Sequence, residues 1–207
     1  MKFIIETYGC QMNVADSELV ASILTQAGFI STDQINEADV IIFNTCSVRD
    51  NAEQRVIGRI SNEVSRKLDH PHLLVGVIGC MAQRLGDELK KINKKLDFVV
   101  GVDQYSQLPA IIAKCLSDQQ FISETELNNT ENYHALYPLR SNSLNAMITI
   151  MRGCNNFCTY CIVPYTRGRE RSREIGEILN EVEIAGQNNC LEITFLGQNV
   201  NSYLKPS

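Results

Sequence analysis

Three cysteines close together in the second half of the chain form the pattern most capable of chemistry. Cys154, Cys158 and Cys161 follow a C-x3-C-x2-C spacing, with Phe157 and Tyr160 directly before the second and third thiols. Thiolates crowded into one short loop can hold a single metal centre. Soft thiolate ligands favour zinc, copper(I) or an iron–sulfur cluster.

The number of protein ligands separates these candidate centres. A structural zinc site usually has four ligands, yet the next cysteine is Cys190, beyond a predicted helix, and no histidine follows Cys161. A 4Fe-4S cluster held by three cysteines leaves one iron open, and an open iron can bind a small molecule. The spacing therefore favours a cluster, and a three-thiol zinc site is the alternative.

A second set of cysteines recurs at a regular interval in the first half. Cys10, Cys46 and Cys80 are 36 and 34 residues apart, about the length of one strand–helix unit, and each follows a predicted strand. Right-handed crossovers bring the loops after parallel strands to one sheet edge, so we expect these thiols to converge. Ordinary buried cysteines are the alternative. We interpret Cys115 and Cys190 as core residues.

Alternating apolar runs and amphipathic segments predict an α/β fold for residues 1–116. Continuous apolar strands alternating with amphipathic helices indicate an open parallel sheet with helices on both faces. The predicted strands are 3–5, 40–43, 73–78 and 98–100, and the predicted helices are 16–27, 51–68, 83–92 and 105–116.

A second domain is predicted at 144–207, after a polar linker at 117–143 that has room for a short strand or two. A strand at 146–151 leads into the cysteine loop, a helix follows at 175–185, and another strand follows at 192–196. Complete (β/α) barrels need roughly 250 residues. We therefore expect only the first strands of an incomplete barrel.

Composition excludes several classes of protein. The chain has 207 residues, of which 44% are hydrophobic and 21% charged, and this balance is typical of a globular protein. The sequence has no signal-peptide core, and no apolar run approaches the roughly 20 residues that cross a bilayer. We expect a cytoplasmic protein without membrane contact, in which clustered thiols indicate metal binding or catalysis rather than disulfides.

Charge gives two opposing indications about a nucleic-acid partner. The net charge of −5 argues against one, because polyanion binding uses Lys and Arg. However, Arg167, Arg169, Arg171 and Arg173 alternate just after the cysteine loop. This run predicts either a solvated face or a positive patch for a phosphate backbone or a cofactor carboxylate.

Four motifs, in order, make the chain resemble the radical S-adenosylmethionine (SAM) methylthiotransferases. They are GCQMNVADSE at 9–18, NTCSVR at 44–49, GCMAQR at 79–84 and CTYCIVPYTRGRERSR at 158–173. The resemblance covers essentially the whole chain. It implies that residues 1–116 form the N-terminal domain of that family and that residues 144–207 begin its radical SAM barrel.

The resemblance also implies two 4Fe-4S clusters and SAM as cofactors. One cluster would cleave SAM to a radical, and an auxiliary cluster would carry or donate sulfur. The implied ligands are Cys154, Cys158 and Cys161 for the first cluster and Cys10, Cys46 and Cys80 for the auxiliary one.

Contacts to SAM are implied at two further places. One is Tyr160, and the other is the turn formed by Gly197, Gln198 and Asn199, directly after the last predicted strand. In the family this turn contacts the methionine end of SAM. An acidic residue often found there is absent from this chain, so an ordinary turn is the alternative.

Within the family, TYGCQMN at 7–13 is similar to the branch that modifies tRNA. That branch adds a methylthio group at carbon 2 of N6-isopentenyladenosine, at position 37 beside the anticodon. The implied partners are tRNA carrying isopentenyladenosine and an electron-donor reductase, and we expect a monomer. The alternatives are a ribosomal-protein methylthiotransferase and a zinc-dependent nucleic-acid-binding module. We expect the 207-residue chain alone to turn over poorly.

Overall fold

The computed structural model describes residues 1–47, 50–128, 130–133, 136–138, 140 and 144–203. The end of the NTCSVR motif and parts of the predicted linker lie outside these residues. Within the described ranges, no helix is long and apolar enough to cross a bilayer.

A six-stranded parallel sheet forms the centre of the first domain. Its spatial order is β2-β1-β3-β4-β5-β6, and every neighbouring pair is parallel. The predicted open parallel sheet is therefore confirmed, and β6 extends it from within the predicted linker. The strands are β1 (Lys2–Tyr8), β2 (Ile30–Ser31), β3 (Val40–Thr45), β4 (Leu74–Gly79), β5 (Phe98–Val100) and β6 (Ile122–Glu124).

Helices connect the parallel strands, as strand–helix alternation predicts. The single helix predicted at 83–92 is wrong in its bounds, because the segment forms two short helices separated at Gly86, whose φ of 47° interrupts helical geometry. The first of them begins at Cys80, directly after β4. The helices of this domain are α1 (Gln11–Gln26), α2 (Asp50–Ser65), α3 (Cys80–Leu85), α4 (Glu88–Ile92) and α5 (Leu108–Asp118).

The central strands are buried on both sides, which explains their continuous apolar sequences. Along β3, Val40 and Ile42 pack into one hydrophobic cluster with residues of α1 and α5. Ile41 and Phe43, which alternate with them, pack into a second cluster with residues of α2 and α3. Helices on both faces thus fix the sheet, and its carboxyl edge is held by core packing on either side.

The second domain contains the start of another parallel sheet. Strand β7 (Asn145–Thr149) pairs in parallel with β10 (Glu192–Leu196), and α7 (Ile175–Gln187) connects them. Two short strands pair in antiparallel fashion at the base of the cysteine loop. They are β8 (Met151–Arg152) and β9 (Arg171–Ser172), and the loop lies between them. This loop also contains α6 (Val163–Thr166).

The strand predicted at 146–151 is interrupted at its carboxyl end. The backbone N–H of Ile150 donates to the Leu196 carbonyl at 2.9 Å, and the Ile150 carbonyl accepts from Arg173 N–H at 2.9 Å. After Ile150 the chain therefore leaves β10 and pairs with β9. This change of partner directs the cysteine loop back toward the first domain.

Substitution of Gly79, the last residue of β4, tests how tightly the sheet edge is packed. Its φ is 92°, and an added Cβ would lie 2.6 Å from the Thr45 carbonyl oxygen. We predict that Gly79→Ala lowers the free energy of unfolding by about 3 kcal/mol or more, since backbone strain and overpacking combine.

Gly28 provides the matched control, because its φ is 88° but nothing lies within 4 Å of its added Cβ. Gly28→Ala should cost only about 1–2 kcal/mol, the backbone contribution alone. Urea unfolding of both variants measures the difference. Equal losses would show that the contact with Thr45 is unimportant.

Candidate iron–sulfur site

The carboxyl edge of the first sheet brings Cys10, Cys46 and Cys80 to neighbouring strand ends. The register aligns the last residues of β1, β3 and β4 with one another. Each cysteine follows its strand by one or two residues. The structure thus places the three thiols at one edge, as the strand pattern predicts; their role as metal ligands stays a prediction.

The three thiols at this edge make different contacts. The Cys46 thiol hydrogen-bonds to the Cys10 sulfur, whereas the sulfur of buried Cys80 accepts from Arg167 Nε at 3.2 Å. Across the described part of the chain, no group of three or more Cys, His, Asp or Glu residues is arranged to hold one metal ion. The thiols therefore share a sheet edge without forming a single-ion cage.

The surroundings of Cys10 lower the pKa of its thiol. The hydrogen bond from Cys46 is the largest effect, and it acts with the backbone N–H groups of Asn13 and Met12 and with the Arg167 guanidinium. Together they outweigh partial burial and lower the pKa of Cys10 to about 5. Because the thiolate is the metal-binding form, Cys10 is ready to ligate at neutral pH. Burial, by contrast, raises the pKa of Cys115 to about 11, as expected for a core thiol.

Two buried asparagines hold the first two cysteine loops together. Asn13 Nδ2 donates to Asn44 Oδ1 at 3.0 Å, and Asn44 Nδ2 donates to the Asn13 carbonyl and to Ser17 Oγ, both at 2.8 Å. Asn13 Oδ1 accepts from the Cys10 backbone N–H at 3.3 Å. Sequence reasoning did not assign these roles, although both asparagines stand inside the quoted cysteine motifs.

The second cysteine set lies in the loop between β8 and β9. Cys154 is buried and its backbone N–H donates to the Gly168 carbonyl at 3.1 Å, which folds the loop onto its own returning segment. Cys158 is exposed and Cys161 half-buried. The loop thus follows a strand end, as predicted, and leaves two thiols accessible.

The residues expected to contact SAM lie near this loop but are differently exposed. The Tyr160 side chain is 90% exposed. Gly197 packs against Met151, since an added Cβ would stand 2.5 Å from the Met151 side chain. The turn that also contains Gln198 and Asn199 therefore lies beside the strand that leads into the cysteine loop. Gln198 Oε1 is buried and has no hydrogen-bond partner among the described residues.

A buried carboxylate joins the two domains. Asp16 of α1 is fully buried and accepts from Arg152 Nη2 at 2.9 Å and from Arg167 Nη2 at 2.8 Å. The Tyr105 hydroxyl adds a third contact at 3.3 Å. Burial alone would raise the pKa of Asp16, but the two guanidinium groups outweigh burial and lower it. Both arginines come from the second domain, so this carboxylate anchors the interface.

The structure corrects both interpretations of the alternating arginines. Three of the four side chains are neither solvated nor available to a phosphate, because each is buried and paired with a carboxylate at 2.7–2.8 Å. Arg169 is exposed, and its guanidinium stacks 4.3 Å from the centre of the Phe157 ring. The buried pairs are Arg167–Asp16, Arg171–Asp103 and Arg173–Glu181.

Comparison with known proteins accounts for both halves of the chain. The model of "Uncharacterized protein family UPF0004" matches residues 2–101, and that of the radical SAM superfamily matches residues 148–206. A Bacteroides fragilis protein named tRNA-2-methylthio-N(6)-dimethylallyladenosine synthase is 52% identical over 98% of this chain. The chain belongs to the radical SAM methylthiotransferase family. The family implies SAM and a 4Fe-4S cluster as cofactors.

Other methylthiotransferase relatives carry the same name. The protein from Porphyromonas gingivalis is 51% identical over 98% of this chain, and that from Chloroherpeton thalassium is 46% identical over 96%. This chain spans 44% of the length of each of these relatives.

A solved structure supports the fold. The radical SAM methyltransferase TsrM from Kitasatospora setae, with tryptophan and a SAM analogue bound, aligns with a TM-score of 0.62. The alignment covers 97% of this chain and 48% of that one. At 10% identity, the likeness concerns the fold alone.

The Asp16 anchor is expected to dominate the stability of the interface. Asp16→Asn leaves two buried guanidinium groups without their carboxylate, so we predict a loss of about 3–5 kcal/mol in the free energy of unfolding. Because the folded pKa of Asp16 is lowered, its contribution is complete above the unfolded value of about 3.9. It is lost as pH falls through the folded pKa, and the difference from the unsubstituted chain should shrink below about pH 4.

Glu37→Gln is the control, because the Lys2–Glu37 pair is 45% exposed on both sides. Its effect should stay within about 0.5 kcal/mol. Urea unfolding at several pH values measures both variants. If Asp16→Asn lowers the free energy of unfolding as little as Glu37→Gln does, Asp16 does not anchor the interface.

Proposed function

We propose that this chain supplies both metal centres of a tRNA methylthiotransferase. The enzyme would add a methylthio group to carbon 2 of N6-isopentenyladenosine at position 37 of tRNA, using SAM. The substrate is assigned from the relatives, which share about half of their residues with nearly the whole chain. Because this chain spans less than half of each relative, the activity is proposed for the protein as a whole.

The single observation that carries the proposal is the meeting of Cys10, Cys46 and Cys80 at one sheet edge. These thiols are distant in sequence and are brought together only by three adjacent parallel strands. A radical SAM domain needs one cysteine triad, so a second triad next to it requires its own explanation. We infer an auxiliary 4Fe-4S cluster.

The donor chemistry of this edge fits such a cluster. Three soft thiols are available, and the lowered pKa of Cys10 makes it a thiolate at neutral pH. Arg167 donates to the Cys80 sulfur, as groups around iron–sulfur clusters commonly do. Three protein ligands leave one iron open, where the sulfur to be transferred can be held.

The second triad fits the SAM-binding cluster. Cys154, Cys158 and Cys161 come from one loop, and Gln198 Oε1 is a buried acceptor with no partner in the described residues. The amino group of SAM would satisfy that acceptor. When bound, the cluster supplies the electron that cleaves SAM and yields the radical needed at an unactivated aromatic carbon.

The surface beside the second triad suits an unpaired base. Tyr160 and Tyr165 are 90% and 64% exposed, and Phe157 stacks with Arg169. Unpaired RNA bases stack on aromatic and guanidinium planes, and the anticodon loop presents such bases. We further propose cytoplasmic action as a monomer, with electrons from a reductase.

Metal content tests the two-centre proposal. After anaerobic reconstitution, the chain should hold about eight iron and eight sulfide per molecule, two clusters of four. Replacing either cysteine triad by alanine should halve both counts. Replacing Cys115 and Cys190 together is the matched control and should change neither. Zinc without sulfide, or full counts in the chain lacking Cys10, Cys46 and Cys80, would refute the proposal.

The tRNA of cells lacking the gene tests the substrate. Loss of the enzyme should abolish 2-methylthio-N6-isopentenyladenosine and accumulate N6-isopentenyladenosine, measured by nucleoside mass spectrometry. The full gene should restore the modification, and a gene carrying Cys10→Ala should not. Unchanged tRNA together with a lost methylthio group on a ribosomal protein would assign the other branch of the family.

A further inference from the structure

Arg167 connects the two halves of the molecule at the auxiliary site. It lies six residues after Cys161, in the segment that returns from the SAM-cluster loop. Its Nη2 donates to Asp16 of the first domain at 2.8 Å, and its Nε donates to the Cys80 sulfur at 3.2 Å. One side chain of the radical SAM domain thus touches a proposed ligand of the other centre.

The same guanidinium has an unused donor. Arg167 is 3% exposed, and its Nη1 is buried without a hydrogen-bond partner in the residues that the structure describes. Buried charged donors are rarely left unsatisfied, because desolvation then goes uncompensated. A sulfur-rich anionic group on the neighbouring thiols would provide acceptors.

The charges buried around Arg167 also lack balance. Three guanidinium groups, those of Arg152, Arg167 and Arg171, meet the two carboxylates of Asp16 and Asp103. Among these buried groups, positive charges outnumber negative ones by one. An anionic cluster on thiolates beside Arg167 would neutralise the excess.

We propose that Arg167 is a positioning residue of the auxiliary centre, supplied by the radical SAM domain, and that it raises the reduction potential of the cluster bound there. A hydrogen bond to the Cys80 sulfur and a buried positive charge both favour the more negatively charged, reduced state. The auxiliary centre therefore has the Arg167 charge and hydrogen bond beside it only when the two domains are docked. The inference rests on the proposed function, because it requires a cluster on the first triad.

The test isolates the auxiliary centre in the 207-residue chain. Cys154, Cys158 and Cys161 are replaced by alanine, the remaining cluster is reconstituted, and its midpoint potential is measured by redox titration with paramagnetic resonance. We expect Arg167→Gln to shift the reduction equilibrium at least tenfold toward the oxidised state, about 59 mV for one electron. Arg167→Lys keeps the charge but loses the forked donors, so its shift should be smaller.

Arg171→Gln is the matched control. It removes another buried ion pair of the interface, at 2.7 Å from Asp103, and the structure shows no hydrogen bond from Arg171 to a thiol in the described residues. Its potential should shift less than that of Arg167→Gln, because this substitution removes a buried charge but no hydrogen bond to a thiol. An unchanged potential in Arg167→Gln, or an equal shift in Arg171→Gln, would overturn the inference while leaving the auxiliary cluster established.

Failure of the proposed function gives a different result. In that case the parent chain, with Arg167 intact, would bind no iron and sulfide on the first triad, and the inference would fall with it. If Arg167→Gln does not fold, Arg167→Lys decides, because it retains the charge opposite Asp16. A potential for Arg167→Lys identical to the parent would then count against a hydrogen-bonding role.

Discussion

The buried carboxylate of Asp16 is the central contact between the two domains. Asp16 is withdrawn from water and pairs with Arg152 and Arg167 across the interface, with the Tyr105 hydroxyl as a third contact. Removing the Asp16 carboxylate while the domains stay docked would leave two buried guanidinium groups without their partner, which is strongly unfavourable. Because Asp16 lies on the helix that begins beside Cys10, the same interaction fixes the second domain relative to the proposed auxiliary site.

The parallel sheet supplies the other constraint. Strands β3 and β4 are buried on both faces, and the half-buried Ile4 and Ile5 of β1 pack against the same two clusters. The ends of these strands therefore cannot shift without disturbing core packing. Cys10, Cys46 and Cys80 lie just beyond those strand ends and are therefore held in place by the same packing. The paired amides of Asn13 and Asn44 add hydrogen bonds behind the first two loops, and Gly79 permits the close approach of β4 to β3 just before Cys80. A site of distant residues becomes well defined because each loop starts from a fixed strand end.

Much of this arrangement could be predicted from local patterns, and the exceptions have specific causes. The four strands predicted for residues 1–116 agree with the structure within a few residues, since buried apolar runs are a short-range signal. The helix expected at 83–92 is divided because Gly86 takes a positive φ, which the apolar spacing did not reveal. The alternating arginines were misassigned because their partners are remote: Arg167 and Asp16 are 151 residues apart, and Arg171 and Asp103 are 68 apart. No local pattern shows which carboxylate a distant guanidinium will meet.

The sequence by itself determined the two cysteine triads, the alternation of strands and helices, and therefore the sheet edge where Cys10, Cys46 and Cys80 lie. These features depend on residue type, spacing and periodicity, which act over one or two elements. Only the tertiary structure decided that Arg167 faces Cys80 and Asp16 rather than solvent, and that Asn13 and Asn44 support the first two loops. Hydrogen bonds and ion pairs between remote residues depend on how whole layers pack, so they exist only once the chain has closed on itself.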